Sequence, residues 1–486
     1  MNAHFVRFSR HTLVAVLATG SIYARNIILL PVLTRSLSQA DYGAWVQVVG
    51  LVDLLSNLAC LGLGAALVRF VPRSRKAHTL ADDVTSGLVV GLAAGSAMAL
   101  LMLPVAPRLA GLFLRSDHYV PLLRVMVLAV PFGTLASLML VYFKGSRKIL
   151  TYSVLLILEA WGVVALALAL IQRGWGVYGV VASLLLFKGL VCATAAFLLW
   201  RQRCLAMPSF TAIPGFLRYS LPLLPLGVFQ MINNVGDRYI ISLYWEPQAA
   251  GVYAVSYAVG SLVGLAFAPV FYVLGPALAE AWEDQREGDI REYFRYAQKY
   301  SLLLALPATA VLALFHTPII TLLSTSRYLA SPYVVICVAL GIMLMNVSAM
   351  AEILLHLQER TRVIPVILGS CAMVNIIANL LIIPRWGYYW AAVTTLATYG
   401  LQFLLTCLRV RSANLFSLNT GCLIQSGLAT LCLILVVRLS GTETWVPMVR
   451  SLLSGGVSYV VALYLLGSFE QREWILLRSV LNHGRN

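Results

Sequence analysis

Runs of roughly twenty apolar residues recur along this chain from residue 11 almost to its end, and that recurrence leaves few folds open. About 20 residues of helix are needed to cross the ~30 Å hydrocarbon core of a bilayer, where only helices and closed barrels satisfy their own backbone. Fourteen such runs can be counted, at 11–33, 43–68, 84–106, 119–142, 150–171, 176–200, 216–243, 249–279, 298–322, 331–357, 362–383, 387–410, 416–440 and 446–468. Charged residues make up only 11% of the chain and hydrophobic ones 60%, whereas soluble domains carry about 25% charge. The expected fold is an all-α polytopic membrane protein of about fourteen transmembrane helices. The first run exceeds the apolar core of a cleavable signal and is expected to stay as an anchor.

The formal charge of +16 is first a statement about topology, because cytoplasmic loops collect Lys and Arg. With the amino terminus inside, 23 of the 35 Lys and Arg fall in cytoplasmic segments, seven on the opposite side and five within spans. Both termini are therefore expected in the cytoplasm, and the basic balance gives no support for nucleic acid as a partner. The eight cysteines show no CxxC or Cys/His ligand spacing and read as reduced packing residues. Neither a metal site nor a cofactor is expected.

Slid on itself by 211 residues, the sequence matches at five separate stretches. "FVRFS" (5–9) falls on "FLRYS" (216–220), Tyr42 on Tyr253, "LGLGAAL" (61–67) on "YVLGPAL" (272–278), Pro121 on Pro332 and "WGVY" (175–178) on "WGYY" (386–389). A fixed period of this kind marks an internal duplication. It divides the chain into an N-lobe (1–200, helices 1–6), a linker (201–215), a C-lobe (216–410, helices 7–12), two extra helices (411–468) and a cytoplasmic tail (469–486). Six helices per lobe is an even number, so the lobes share one orientation and are expected to be related by a pseudo-two-fold along the membrane normal. Transporters place their substrate between such repeats.

Two stretches carry a family resemblance. "LLPVLTRSLSQADYGAW" (29–45), followed by "LLSNLACLGLGAALVRF" (54–70), and "GDRYIISLYWEPQAAGVYAVSYAV" (236–259) resemble the opening helix pairs of the two lobes in polysaccharide exporters and O-antigen flippases. These belong to the multidrug/oligosaccharidyl-lipid/polysaccharide (MOP) exporter superfamily. The resemblance implies a V-shaped transporter of the bacterial inner membrane that moves undecaprenyl-diphosphate-linked oligosaccharide to the periplasmic leaflet for O-antigen, capsule or exopolysaccharide synthesis. It further implies membrane lipids, a polysaccharide polymerase and chain-length machinery as partners.

Polar groups inside hydrocarbon cost several kcal/mol each unless partnered, which makes them the candidate site residues. At 1.5 Å per residue, Arg25 lies roughly 12 Å, and Asp53 roughly 15 Å, from the outer ends of antiparallel neighbouring spans. They are placed to pair, or else Arg25, beside Asn26, is free to grip a diphosphate. Glu159 and Lys188 share a depth of roughly 18 Å and form a second expected pair, either fixing helix register or taking part in coupling. Gln230, Asn233, Asn234 and Asp237 follow at helical spacing and form a stripe expected to face the cleft. Asp53 and Asn57 in the second span, and Tyr253 and Tyr257 in the eighth, supply further groups suited to a sugar. Arg238, roughly 9 Å from its span end, either joins them or snorkels to the interface, the expected behaviour of Glu352 near a span end. The repeat equates Arg35 with Glu246, both in outer loops, as a possible external gate. Residues 286–300, with Arg291, Arg295 and Lys299 at four-residue spacing, read as a helix lying on the cytoplasmic surface against anionic lipid.

An enzyme such as a membrane glycosyltransferase or polymerase would need a catalytic constellation in a sizeable loop. The longest loop is about 20 residues, well below a domain, and no metal-binding, phosphate-loop or nucleophile-elbow motif occurs. No catalytic residue is assigned. The rival transport readings are a cation-coupled multidrug exporter and a peptidoglycan lipid-precursor flippase.

Overall fold

A computed structural model describes residues 20–21, 24–70, 77–410, 415–440, 445–471 and 473. Every regular element among them is helical. Twelve helices among the described residues are long and apolar enough to cross a membrane, and the bent pair Gln39–Ala59 and Leu63–Phe70 makes up to thirteen. Of the first predicted span, 11–19 and 22–23 lie outside the described residues, and 24–36 are helical. The expected count of fourteen is thus approximate.

The helices begin and end where local chemistry dictates. Ser38 caps Gln39–Ala59 by accepting from the Asp41 amide at 3.0 Å, and its hydroxyl donates to Asp41 Oδ2 at 2.8 Å. Asp41 then sits in the first turn, where a negative charge meets the positive end of the helix dipole. The same helix breaks where Leu61 (φ 51°) and Gly62 (φ 68°) turn left-handed, and the chain bends by 48°. Ser220 Oγ donates to the Leu61 carbonyl at 2.8 Å, satisfying an acceptor the break sets free.

Two predicted spans are corrected. The run 249–279 is interrupted: Pro247–Ser261 gives way to a 3-10 stretch Leu262–Ala266 before Ala268–Glu283 begins. The run 298–322 starts earlier, as part of one helix Glu287–Leu314, and His316–Leu323 is separate. Residues 286–300 therefore do not form an independent surface helix. Ile290, Phe294 and Ala297 are buried, and all three cations have found carboxylates: Arg291 Nη2 lies 3.2 Å from Glu287 Oε2. Lys299 Nζ lies 2.7 Å from Glu473 Oε2, and Arg295 Nη2 lies 3.3 Å from Glu470 Oε2.

The chain forms two compact units. The first comprises Met1–Val255, Ile320–Leu329 and Leu368–Ala391. Part of its core gathers around Leu63, Leu67, Leu138, Phe143 and Val191. Lipid is as apolar as leucine, so packing between membrane helices depends on close approach. A Cβ added at Gly95 would stand 2.9 Å from Pro131 Cα, and one at Gly91 would meet Leu138 at 2.4 Å. The second unit comprises Ser256–Ile319, Ala330–Ile367 and Ala392–Asn486. Its C-terminal hairpin, Thr420–Ser440 and Trp445–Leu465, packs on Glu287–Leu314 through Leu303, Phe315, Ala429, Leu433 and Tyr459. In this unit Glu352, expected to snorkel, accepts instead from Gln402 Nε2 at 3.3 Å. All eight cysteines are free thiols.

Candidate functional site

Four charges meet within the first unit. Lys188 Nζ lies 3.4 Å from Glu159 Oε1, with both side chains mostly buried at 17% and 16% exposure. The glycine at 133 makes room: a Cβ there would be 2.7 Å from Ser56 Oγ and 3.9 Å from Lys188 Nζ. Asp53 stands within electrostatic reach of Lys188, Arg25 and Glu159. It keeps an exposed surface, as does Asn57, whose Nδ2 donates to the Asp53 carbonyl at 3.0 Å. Two cations and two carboxylates thus balance, alongside amides that remain accessible.

The expected Arg25–Asp53 ion pair is not formed among the described residues. Arg25 instead donates from Nη2 (2.9 Å) and Nε (3.2 Å) to Oδ1 of the exposed Asn26. The neighbouring amide lies within reach without the guanidinium crossing to another helix, and Asp53 interacts with it at longer range. Sequence reasoning missed Trp161, whose indole N–H donates at 2.6 Å to the Oγ of Ser21, four residues before Arg25 in the sequence. The signal was available, since a Trp in the middle of a span is out of its usual interfacial place.

The stripe on Leu224–Tyr244 divides. Asn233 and Asp237 are buried, while Gln230 is exposed and Asn234 and Arg238 are half-buried. Asn233 Nδ2 donates to the Leu368 carbonyl at 3.3 Å. Tyr253 Oη donates to Asp237 Oδ2 at 2.6 Å, and the Arg238 amide donates to Oδ1 at 2.8 Å. Those bonds tie Asn233 and Asp237 to protein groups. Tyr257 belongs to the second unit, where its hydroxyl lies 3.4 Å from that of Tyr399.

Sequence reasoning also missed a brace beside the cluster. Gly43, Gln47 and Gly50 share one face of Gln39–Ala59. Gln47 Nε2 donates to Ser242 Oγ at 2.7 Å, and Tyr239 Oη donates to the Gln47 carbonyl at 2.8 Å. A Cβ at Gly43 would overlap the Pro247 carbonyl oxygen at 2.0 Å. A buried glutamine between glycines at helical spacing was the readable sign.

Arg35 and Glu246 form no ion pair among the described residues. Arg35 donates to the carbonyls of Leu322 (2.7 Å) and Ser324 (3.2 Å), and Gln39 Nε2 donates to that of Arg327 at 2.6 Å. Glu246 is exposed. Arg35 is thus a staple for the 320–329 segment, because free carbonyls at a helix end accept a guanidinium readily. No group of three or more His, Cys, Asp or Glu suited to a metal occurs among the described residues.

The described residues form an all-helical, multi-pass membrane fold with a balanced charge cluster inside one unit. The fold is that of the MOP exporter superfamily. The lipid II flippase MurJ in an inward closed conformation superposes with a TM-score of 0.78, covering 97% of this chain and 100% of that one at 15% identity. An inward-facing multidrug resistance MATE family transporter of the MOP superfamily gives 0.65, covering 84% and 100% at 14% identity. At such identities the likeness concerns the fold alone. Residues 32–332 match the family model described as polysaccharide biosynthesis protein, and the chain belongs to that family. The succinoglycan biosynthesis transport protein ExoT of Rhizobium meliloti is 26% identical over 337 residues, 65% of this chain. The chain spans 66% of the length of that relative.

Proposed function

We propose that this protein is a flippase that carries oligosaccharide linked to undecaprenyl diphosphate from the cytoplasmic to the periplasmic leaflet of a bacterial inner membrane. The observation that carries the reading is the cluster of Arg25, Asp53, Glu159 and Lys188, with Asn26 and Asn57 exposed beside it. A diphosphate needs cations that can be offered without permanent neutralisation, and a glycan needs amides and hydroxyls. Balanced charges meet both needs, since a proton on one carboxylate leaves the cluster with a net positive charge ready for the anion. Membership of a polysaccharide biosynthesis family, and the succinoglycan transport relative, favour the lipid-linked oligosaccharide of a surface polysaccharide over a drug or the peptidoglycan precursor.

In this reading the diphosphate settles at Arg25, the two six-helix lobes rock outward, and the isoprenoid tail follows through the membrane. Both termini lie in the cytoplasm, and a polymerase with its chain-length machinery takes the product on the far side. Deleting the gene tests the assignment: lipid-linked glycan should accumulate in the cytoplasmic leaflet with drug susceptibility unchanged. Arg25→Ala should reduce translocation by about 30-fold or more, the worth of a charge-assisted hydrogen-bonded pair, at unaltered membrane abundance. Normal surface polysaccharide in that strain rejects the role of Arg25.

A further inference from the structure

Two loops of the first unit bring five aromatic side chains together. Trp245 follows the Leu224–Tyr244 helix, and Trp386, Tyr388, Tyr389 and Trp390 surround the turn at Gly387 (φ 96°). The rings pack in two adjoining groups: Trp386 and Trp390 lie 5.0 Å apart, while Tyr388 and Tyr389 lie 4.1 Å apart and Trp245 meets Tyr388 at 5.8 Å. The polar tips of Trp245, Tyr388 and Tyr389 are bound within the protein. Trp245 Nε1 donates to the Ile383 carbonyl at 3.3 Å, and Tyr388 Oη donates to Tyr389 Oη at 2.8 Å. Even so, Trp386 is 61% exposed, and Trp245, Tyr389 and Trp390 are exposed as well. Glu246 and Arg385, next in sequence to Trp245 and Trp386, are exposed too.

The internal repeat separates what the fold needs from what has been added. At the 211-residue offset Trp386 and Tyr389 fall on Trp175 and Tyr178, which are also exposed. That shared pair suits the aromatic belt of a membrane interface. Tyr388 falls on Val177, Trp390 on Gly179 and Trp245 on Thr34. Three of the five rings therefore have no counterpart in the first repeat. A belt residue is held by lipid headgroups and gains nothing from being stacked and hydrogen-bonded to its neighbours. A platform that must offer flat apolar faces in fixed positions gains a great deal, because pre-organisation removes the cost of ordering rings on binding.

We infer that Trp245, Trp386, Tyr388, Tyr389 and Trp390 form a glycan-binding platform. The axial C–H faces of pyranose rings stack on the exposed rings, and Glu246 and Arg385 bond the sugar hydroxyls. The inference rests on the flippase reading and, with the termini cytoplasmic, places the platform where the glycan emerges.

The test uses the full chain in nanodiscs of phosphatidylethanolamine and phosphatidylglycerol, free of sugar detergents. The probe is the oligosaccharide released by mild acid from the lipid-linked pool of a strain carrying this gene, followed by saturation-transfer NMR. Wild type should saturate the sugar protons. Trp386→Ala with Trp390→Ala should weaken binding about tenfold or more, and the corresponding Phe pair should recover to within about threefold. Glu246→Gln, an exposed change without folding risk, should weaken it about threefold. Absence of transfer in wild type, as a purely interfacial belt would give, or equal affinity in the well-folded alanine pair, overturns the platform. Accumulation of lipid-linked glycan on deletion, with no oligosaccharide bound by wild type, sinks this inference alone. Binding without accumulation leaves the platform standing and sinks the flippase reading.

Discussion

Lys188 shows how much one side chain decides in hydrocarbon. It forms its ion pair with Glu159 while almost enclosed, and Asp53 lies within reach of both. Removing one partner of such a pair leaves the other charge uncompensated, which costs more than the pair itself contributes. Lys188→Met alone should therefore destabilise the protein by about 3 kcal/mol, and the double change with Glu159→Gln should recover most of that. Thermal melting in detergent measures both, and equal losses in the single and double variants would rule out the pairing. The Lys188–Glu159 pair was legible in the sequence because depth along a helix is simple arithmetic. Arg25 was only half legible. Its depth could be read, but its choice of Asn26 over Asp53 depends on side-chain direction, which residue spacing does not carry. Arg35 was read in the wrong company for a related reason: its acceptors, Leu322 and Ser324, lie almost 290 residues away and are backbone atoms.

Elements were legible as hydrophobic runs and much less so as breaks. Nothing in the apolar pattern of 43–68 announces the bend at Leu61–Gly62, since both flanks are equally hydrophobic. The bend exists because a left-handed pair can be satisfied there by Ser220. Gly62→Ala tests this directly. It places a Cβ 2.6 Å from the Ser220 carbonyl oxygen at φ 68°, and the left-handed backbone alone costs an ordinary residue about 1–2 kcal/mol. A loss of about 2 kcal/mol or more is expected on melting, and an unchanged melt would mean that the bend is not required.

The clasp on Glu287–Leu314 is an element-scale switch. Glu473 accepts from Lys299 Nζ at 2.7 Å and Tyr300 Oη at 2.6 Å. Burial raises its carboxyl, but bonds from Lys299, Tyr300 and the Glu470 amide together hold it below its ordinary value of 4.5. A depressed carboxyl contributes stability that is present above its unfolded value and lost as pH falls through the folded one. The wild type should accordingly keep this contribution at neutral pH and lose it progressively in acid below about 4.5. Glu473→Gln, which leaves the buried Lys299 without its counter-charge, should cost about 3 kcal/mol at pH 7 and flatten that part of the acid dependence. Melting curves from pH 7 to 3 compare the two.

At the scale of the molecule, the 211-residue repeat and the helix count made the superfamily legible, because both survive when individual contacts do not. The anchoring of the C-terminal hairpin was not legible. Its helices look like any other pair of spans, and the MATE family structure that matches this fold covers 84% of the chain. Yet within its own unit the hairpin is fastened at both ends to one stretch of Glu287–Leu314. Gln298 donates to the Ser417 carbonyl at 3.0 Å and accepts from the Asn419 amide at 3.1 Å; Phe294 packs edge-on against Phe416; and Lys299 holds Glu473 beyond the second helix. The hairpin thus neutralises a buried cation as well as covering an apolar face. A chain ending after residue 414 should strand Lys299 and Gln298 without those partners. One uncompensated buried charge costs about 3–5 kcal/mol, enough to remove much of the 5–15 kcal/mol that typically holds a protein folded, so the shortened chain should be scarce in membranes. Adding Lys299→Met to the same truncation removes the stranded charge and should restore a good part of the abundance. If Lys299→Met changes nothing, the apolar face alone makes the hairpin indispensable; if the truncated chain accumulates normally, the clasp is dispensable for folding.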